Sequence, residues 1–232
     1  MATKKLFDDW PERYDQWFTT PIGRLIKEFE GGLVNELLSP APDEKILDAG
    51  CGTGIFTRDL LSAGARVVGL ELSSPMLHQA RKKAGGDPFQ GVQGDMLNLP
   101  FYDNTFDKTV SITALEFIKD APKAVNELFR VTRQGGLVVV ATLNRLSPWA
   151  GRRKAKTQRG QKHILENAHF RSPRELLSYG PSGGNAKTAV YFEKEDPPDE
   201  AVEKELRGRS QNLDTGAFVA ACWQKNGRGT DH

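Results

Sequence analysis

A chain of 232 residues with 38% hydrophobic and 27% charged side chains can bury an ordinary core, which excludes global disorder. Its net charge of +2 argues neither for nor against a nucleic-acid partner. Two cysteines, Cys51 and Cys222, lie far apart and outside any CxxC, which excludes a disulfide framework and leaves no metal site to expect.

The opening residues, MATKKLFDDWPERYDQWF, lack a continuous apolar signal region. The longest apolar run, LVVVATL, is too short to span a bilayer, so the expectation is a reduced, cytoplasmic chain without a membrane span. YDQWFTTPIGRLIKEFEGGLVNELLSP predicts one or two helices with Ile22, Leu25, Ile26 and Phe29 on one face. KILDA (45–49) reads as a strand, and IFTRDLLSA places Ile55, Leu60 and Leu61 along a helix. RVVGLEL (66–72) is a β-branched strand. SSPMLHQARKKA (73–84) starts a helix, with Ser74 read as N-cap and Pro75 as N1. FQGVQGD (89–95) and FDKTVSI (106–112) are strands. PKAVNELFRVTRQGG carries Val125, Leu128 and Phe129 at helical spacing, with Gly135 read as its stop. GLVVVATL (136–143) completes five strands alternating with helices.

That alternation predicts an α/β fold, a Rossmann-like doubly wound sheet with right-handed crossovers. KTAVYFEKE (187–195) and GAFVAACWQK (216–225) add two strands, for about seven, mostly parallel with an antiparallel C-terminal strand. DPPDEAVEKELRGRSQNLD between them reads as a loop or exposed helix, and NGRGTDH as a frayed tail. The expected organisation is one domain over 1–232: a helical cap (1–40), a ligand-binding core (43–143), a basic segment (144–186) and C-terminal strands (187–225).

In ILDAGCGTG, Gly50, Gly52 and Gly54 follow the first strand directly. In an open parallel sheet, ligands bind beyond the carboxyl ends of the strands, so these glycines predict a ligand held against bare main chain. A tight turn that binds nothing is the competing reading. The spacing is G-x-G-x-G, not the G-x-G-x-x-G of dinucleotide sites, and Asp48 would sit poorly beside a pyrophosphate. Asp48 suits an ammonium, and Glu71 can accept hydrogen bonds from both hydroxyls of a ribose. An adenosine joined to a methionine, with no phosphate, satisfies all three features.

ILDAGCGTGIF, VVGLELS, VQGDMLNLPFYDNTFDKTVSI and LFRVTRQGGLVVVATL, in that order, resemble the motifs of class I S-adenosylmethionine-dependent methyltransferases. The likeness is strongest to the subgroup that includes the ubiquinone/menaquinone methylases and covers roughly residues 43–143. The start YDQWFTTPIGR is similar as well. By position, the resemblance implies that Gly50, Cys51, Gly52 and Gly54 wrap S-adenosylmethionine and its product S-adenosylhomocysteine, with Asp48 near the amino group. Glu71 would take the ribose hydroxyls and Leu72 would pack on the adenine. Asp95 would accept from the adenine amino group and the backbone of Met96 would meet a ring nitrogen. Thr113 and Leu115 would border the sulfonium, and Tyr14 would close over the methionine carboxylate. Asp95 also reads as an ordinary turn acid, Leu72 and Leu115 as core residues, and Cys51 as a small filler rather than a nucleophile.

Methyl transfer from a sulfonium needs alignment above all, worth about 7–11 kcal/mol, and a base only where the acceptor must lose a proton. Glu116 follows the fourth strand and is a candidate, where some relatives carry histidine pairs and this chain has Glu116 and Phe117. His163 and His169 lie in the basic segment and His78 in a helix. No residue is assigned as catalytic. Between Asn144 and Arg174 nine Lys/Arg face one acid, Glu166. This segment reads as a lid favouring an anionic or aromatic small-molecule acceptor, as a solvated face, or as a nucleic-acid contact, the last disfavoured by sparse aromatics. A methyltransferase predicts an enclosed pocket roofed by residues 10–30 and 144–178, with Trp17, Phe18 or Trp149 in its wall. A regulatory module that binds the cofactor without methylating, and a nicotinamide-dependent oxidoreductase, stand as alternatives.

Overall fold

In the computed structural model, which describes residues 5–86, 88–158, 165–166 and 168–226, seven strands form one sheet. They are β1 (Lys45–Ala49), β2 (Arg66–Glu71), β3 (Phe89–Gln93), β4 (Phe106–Ile112), β5 (Thr132–Leu143), β6 (Asn185–Ala189) and β7 (Phe218–Gln224). Their order is β3-β2-β1-β4-β5-β7-β6. β1 to β5 pair in parallel, and β7 runs antiparallel to both its neighbours. The helices are α1 (Pro11–Trp17), α2 (Pro21–Leu38), α3 (Thr57–Ser62), α4 (Ser74–Ala84), α5 (Ala121–Val131), α6 (Pro148–Gln158), α7 (Pro173–Leu177) and α8 (Pro198–Ser210). This is the Rossmann-like α/β architecture expected. Among the described residues no helix is long and apolar enough to cross a membrane.

The central strands are apolar on both faces because helices cover both, and their side chains alternate between two cores. Ile46, Val67, Val110 and Val139 meet α2, α3, α4 and α8 on one face. Leu47, Val68, Val138 and Val140 meet α5 and α7 on the other. α5 buries Val125, Leu128 and Val131 completely, worth about 1.5–3 kcal/mol each in transfer free energy.

Three local readings need correction. The helix before β5 ends at Val131, and Gly135 lies inside β5 at φ +75°. Thr132 is already extended and paired with Phe106, its hydroxyl sharing a buried hydrogen bond with Thr109. The register shift between Phe106 and Lys108 takes up the extra residues. β6 is Asn185–Ala189 rather than 187–195: Val190 turns to φ +66°, and the N–H groups of Val190 and Tyr191 donate to buried Glu205 instead of a strand. The N-cap of α4 is Ser73, not Ser74, since its hydroxyl accepts from Met76 N. The hydrophilic stretch before β7 forms α8, which buries Ala201, Glu205 and Gly208. The tail expected to fray, 227–232, lies outside the described residues.

β1 and β4 flank the point where strand order reverses, the place where such sheets bind ligands. α1 crosses above it. Asp15 holds α1 there, accepting from Thr53 Oγ1 at 2.6 Å and pairing with Lys83 of α4 at 2.5 Å. Asp8 accepts from Ser73 Oγ at 2.7 Å.

Candidate active site

Two cavities share a wall at this switch point. The first, about 230 Å³, opens over the carboxyl ends of β1, β2 and β4. Ten residues singled out in the sequence line it: Tyr14, Asp48, Gly50, Cys51, Gly52, Glu71, Leu72, Asp95, Met96 and Thr113. Two others do not, Gly54 and Leu115. At Gly54, φ +79°, a Cβ would sit 3.2 Å from Cα and Cβ of Ala80, so this glycine lets α4 approach the turn. Leu115 is fully buried in the second core, because the 3-10 turn Leu115–Phe117 rotates it inward. Ala114, Phe117 and Ile118 take its place on the wall.

The turn is built on main chain. Gly50 has φ +80°, and a Cβ there would collide with Ala114. The N–H groups of Gly50 and Cys51 both donate to Leu70 O, tying the turn to the end of β2. Glu71 is clamped by two backbone donors, Gly52 N to Oε2 at 3.1 Å and Ser73 N to Oε1 at 2.8 Å. Burial still raises the Glu71 carboxyl above its ordinary range, against the pull of those donors. Asp48 is 2% exposed and accepts from Thr57 Oγ1 at 2.6 Å, and burial pushes its carboxyl up to about 6. Burial also pushes the Cys51 thiol up, which removes thiolate character and fits a filler of the turn.

Leu72 is 41% exposed at the cavity edge, so it is not a core residue. Asp95 is exposed, with Oδ1 accepting from Leu97 N at 2.9 Å, so it does form a turn while also facing the cavity. Met96 is buried beneath it, against Ser111. Three carboxylates, Asp48, Glu71 and Asp95, thus face a cavity whose wall has, among the described residues, a single cationic one, Lys5. Such a set is suited to hydroxyls, amino groups and a positive centre, and is hostile to a pyrophosphate.

The second cavity, about 440 Å³, lies between α1, α2, the 3-10 turn and α6. Phe7, Tyr14, Thr113 and Phe117 belong to both cavities and form the shared wall. Thr113 is held there at φ +48° by its N–H, which donates to Ala141 O at 2.9 Å. Its side chain bonds the hydroxyl of Tyr14, whose acidity burial suppresses. Trp10, Trp17, Phe18 and Trp149 add aromatic surface, and Phe7 meets Phe117 edge to face at 4.8 Å. Two carboxylates reach this cavity, Glu30 of α2, 6% exposed, and Glu116, 1% exposed. Thr142 Oγ1 donates to Glu116 Oε2 at 3.0 Å, and burial raises that carboxyl to about 7. Burial, then the neighbouring charges of Glu116 and Glu205, hold the Glu30 carboxyl well above its usual range.

Glu30 was missed in the sequence, although a signal was present. It stands one turn after Ile26 and three residues before Leu33 on the buried face of α2, where an acid is out of pattern. The basic segment is not a uniform cationic face either. Arg171, 3% exposed, donates to the carbonyls of Leu115, Ile118 and His169, which fixes the 3-10 turn from behind. Arg152 pairs with Glu193 and Arg145 with Glu175, and Arg153 lines the second cavity. Exposed His169 and His78 line neither cavity, and Arg159, Lys162 and His163 lie outside the described residues, as does the side chain of Lys156.

Residues 47–140 match a family described as a methyltransferase domain. A malonyl-[acyl-carrier protein] O-methyltransferase of Pectobacterium atrosepticum is 42% identical over 99 residues, covering 43% of this chain and 38% of that protein. A demethylmenaquinone methyltransferase of Corynebacterium kroppenstedtii is 35% identical over 136 residues, covering 59% and 57%. The chain therefore spans about two fifths to three fifths of the length of these curated relatives. Among solved structures, an S-adenosylmethionine-dependent methyltransferase of Thermotoga maritima, described as a possible histamine N-methyltransferase, superposes with a TM-score of 0.73. It is 25% identical and is covered over 98% of its length by 95% of this chain.

Proposed function

We propose that this chain is a class I S-adenosylmethionine-dependent methyltransferase, its residues 47–140 matching a methyltransferase domain, and that it methylates a small molecule seated in the second cavity. The observation that carries the reading is the shared wall: an acid-lined cavity at the switch point adjoins an aromatic one across Phe7, Tyr14, Thr113 and Phe117. The donor supplies an activated methyl group on a sulfonium.

The chain's own residues bind and align. Glu71, already held by Gly52 N and Ser73 N, presents its carboxylate to the ribose hydroxyls. Asp48 stands toward the amino group, Leu72 and Met96 border the adenine, and Asp95 accepts from the adenine amino group. Gly50, Cys51 and Gly52 leave room for main chain to lie against the ligand, and Tyr14 and Thr113 face the reacting end. Ordering both partners across one wall is the largest contribution such a site makes, about 7–11 kcal/mol. The aromatic walls shield part of the acceptor from water.

The acceptors of the curated relatives do not transfer directly. Among the described residues only Thr113, Glu116 and Phe117 of the second cavity fall inside the matched residues 47–140, and its other lining residues come from residues 7–30 and 143–217. A nucleic-acid acceptor is disfavoured, because Arg171 is buried, Arg153 lines the cavity, and exposed Arg145 and Arg152 are each paired with an acid, Glu175 and Glu193.

Calorimetric titration with S-adenosylmethionine and, in parallel, NADH tests the reading. Micromolar binding of the first alone is expected. Glu71→Ala is expected to weaken it 10- to 100-fold, the worth of hydrogen bonds to a charged group, about 1.5–3 kcal/mol. NADH binding in place of S-adenosylmethionine overturns the donor assignment.

A further inference from the structure

Glu30 is 94% buried by its 6% exposure, faces the second cavity, and accepts no hydrogen bond from any described residue. Its oxygens are not among the sealed, unsatisfied polar atoms of the described residues, so they are open to the cavity, where a ligand's donor can complete them. Its neighbour across the cavity floor is Glu116, also buried, with Thr142 bonded to one carboxylate oxygen. The walls above are aromatic rings, whose faces attract cations. One such contact already exists, with Lys194 Nζ 5.0 Å from the centroid of the Trp17 ring.

Charge is sorted by depth. The acids are buried on the floor with half-buried Arg153 of α6 facing Glu116, whereas Arg13 and Lys194 are exposed residues of the mouth. Arg13 lies over Trp10 at 5.9 Å. An anionic acceptor would find Arg13 and Lys194 at the mouth and, deeper in, the single Arg153, whose charge burial disfavours and which two acids outnumber. A positively charged acceptor would find its counter-charges on the floor, where Glu116 immediately precedes Phe117 of the shared wall. Every group facing the pair counts in this balance: Glu205 from α8 toward Glu30, and Tyr14 from α1, Thr142 from β5, Arg153 from α6 and Arg171 toward Glu116. Arg153 tempers Glu116 from the opposite side, but burial disfavours its own charge.

We propose that the second cavity takes an aliphatic or aromatic amine, its ammonium group bound by Glu30 and deprotonated by Glu116, so that nitrogen is the atom methylated. The proposal rests on the methyltransferase reading and names its substrate class. In the step, the N–H bond of the ammonium breaks, the proton goes to a Glu116 oxygen, and the nitrogen keeps the lone pair. That pair forms the C–N bond as the donor's C–S bond breaks, its electrons staying on sulfur, and S-adenosylhomocysteine leaves. Glu116 has the acidity for this exchange near neutral pH.

Tryptamine, 3-methylindole and indole-3-acetate serve as cationic, neutral and anionic probes of one ring system. Each is titrated calorimetrically into the full chain, with and without saturating S-adenosylhomocysteine. Tryptamine is expected to bind at least tenfold tighter than 3-methylindole, with indole-3-acetate weakest, and to release protons as the two carboxyls ionise. Glu30→Gln and Glu116→Gln are expected to erase that preference while keeping their affinity for S-adenosylhomocysteine, which also shows that they fold. Equal binding of the three probes, binding of none, or an amine preference that survives both substitutions overturns the proposal. An amine preference in a chain that does not bind S-adenosylhomocysteine instead overturns the donor assignment and supports the amine site.

Discussion

The two cavities solve the burial of acids in opposite ways. In the first, Glu71 is completed by two backbone N–H groups and Asp48 by the Thr57 hydroxyl, so the carboxylates are positioned before any ligand arrives. In the second, Glu116 has Thr142 on one oxygen and Glu30 has no described donor at all. The first is preorganised by main chain at strand ends. The second is assembled from side chains of distant elements and is completed by its ligand. A cavity of the first kind keeps one ligand, whereas one of the second kind sets which acceptor enters.

The sharpest way to break this contrast is Glu116→Gln. If Glu116 takes a proton from the acceptor, the rate of methyl transfer to tryptamine falls by about 10²–10⁴, the range for loss of a general base. Affinity for S-adenosylhomocysteine stays within twofold. The wild-type rate also rises with pH through about 7, where Glu116 ionises. That limb is absent from the variant. A uniform loss at all pH values would assign Glu116 a structural role.

A second expectation concerns stability without ligand. Asp48 and Glu116 hold their protons more tightly in the folded chain than when unfolded, with folded values of about 6 and about 7. The folded state then binds more protons than the unfolded state between about pH 4 and 7, so stability falls as pH rises across that window. Full ionisation of Glu116 alone costs on the order of 3 kcal/mol. Urea melts at pH 5 and pH 8 measure the loss, and Glu116→Gln is expected to flatten the difference. If the amine proposal holds, tryptamine protects the folded chain more at pH 8 than at pH 5.

The two cavities also differ in how far the sequence disclosed them. Asp48, Gly50, Gly52 and Glu71 are legible because a strand end, a turn and the next strand end are local features with fixed periodicity. Gly54 belongs to the same motif, but its reason is the approach of Ala80, which only packing reveals. Leu115 sits two residues past Thr113, and a single 3-10 turn sends it into the core. The aromatic wall was legible in part, through Trp17, Phe18 and Trp149. Glu30 was legible only as an acid breaking an apolar stripe, since its partner Glu116 is remote in sequence and meets it through the fold. β6 was misplaced for a similar reason: the distant Glu205 captures the N–H groups of Val190 and Tyr191.

Gly54→Ala tests the separation of packing from binding within one motif. A left-handed alanine costs about 1–2 kcal/mol, and crowding against Ala80 at 3.2 Å adds to it. A melting temperature lower by roughly 4–8 °C is expected from about 2 kcal/mol in a chain of this size. Affinity for S-adenosylmethionine remains within twofold, because residue 54 does not line the cavity. A large loss of affinity at unchanged stability would return Gly54 to the ligand.

The smallest effect belongs to the element both cavities share. α1 presents Tyr14 to the shared wall and Trp17 to the second cavity, yet it buries no residue completely. Its hold on the core joins the half-buried rings of Tyr14 and Trp17 to polar contacts, Asp15 to Thr53 and Lys83, with Asp8 on Ser73 just before it. Half-exposed ion pairs are worth about 0.2–1 kcal/mol, too little to fix α1 permanently. That weakness is consistent with a cap that lifts for ligand exchange. Asp15→Asn removes the charge opposite Lys83 and weakens the bond from Thr53, so stopped-flow release of S-adenosylhomocysteine should quicken by a few-fold. Acceptor release should quicken by the same factor, because one helix covers both ligands. If only the donor leaves faster, α1 is not a common cover and the two cavities exchange their ligands by separate routes.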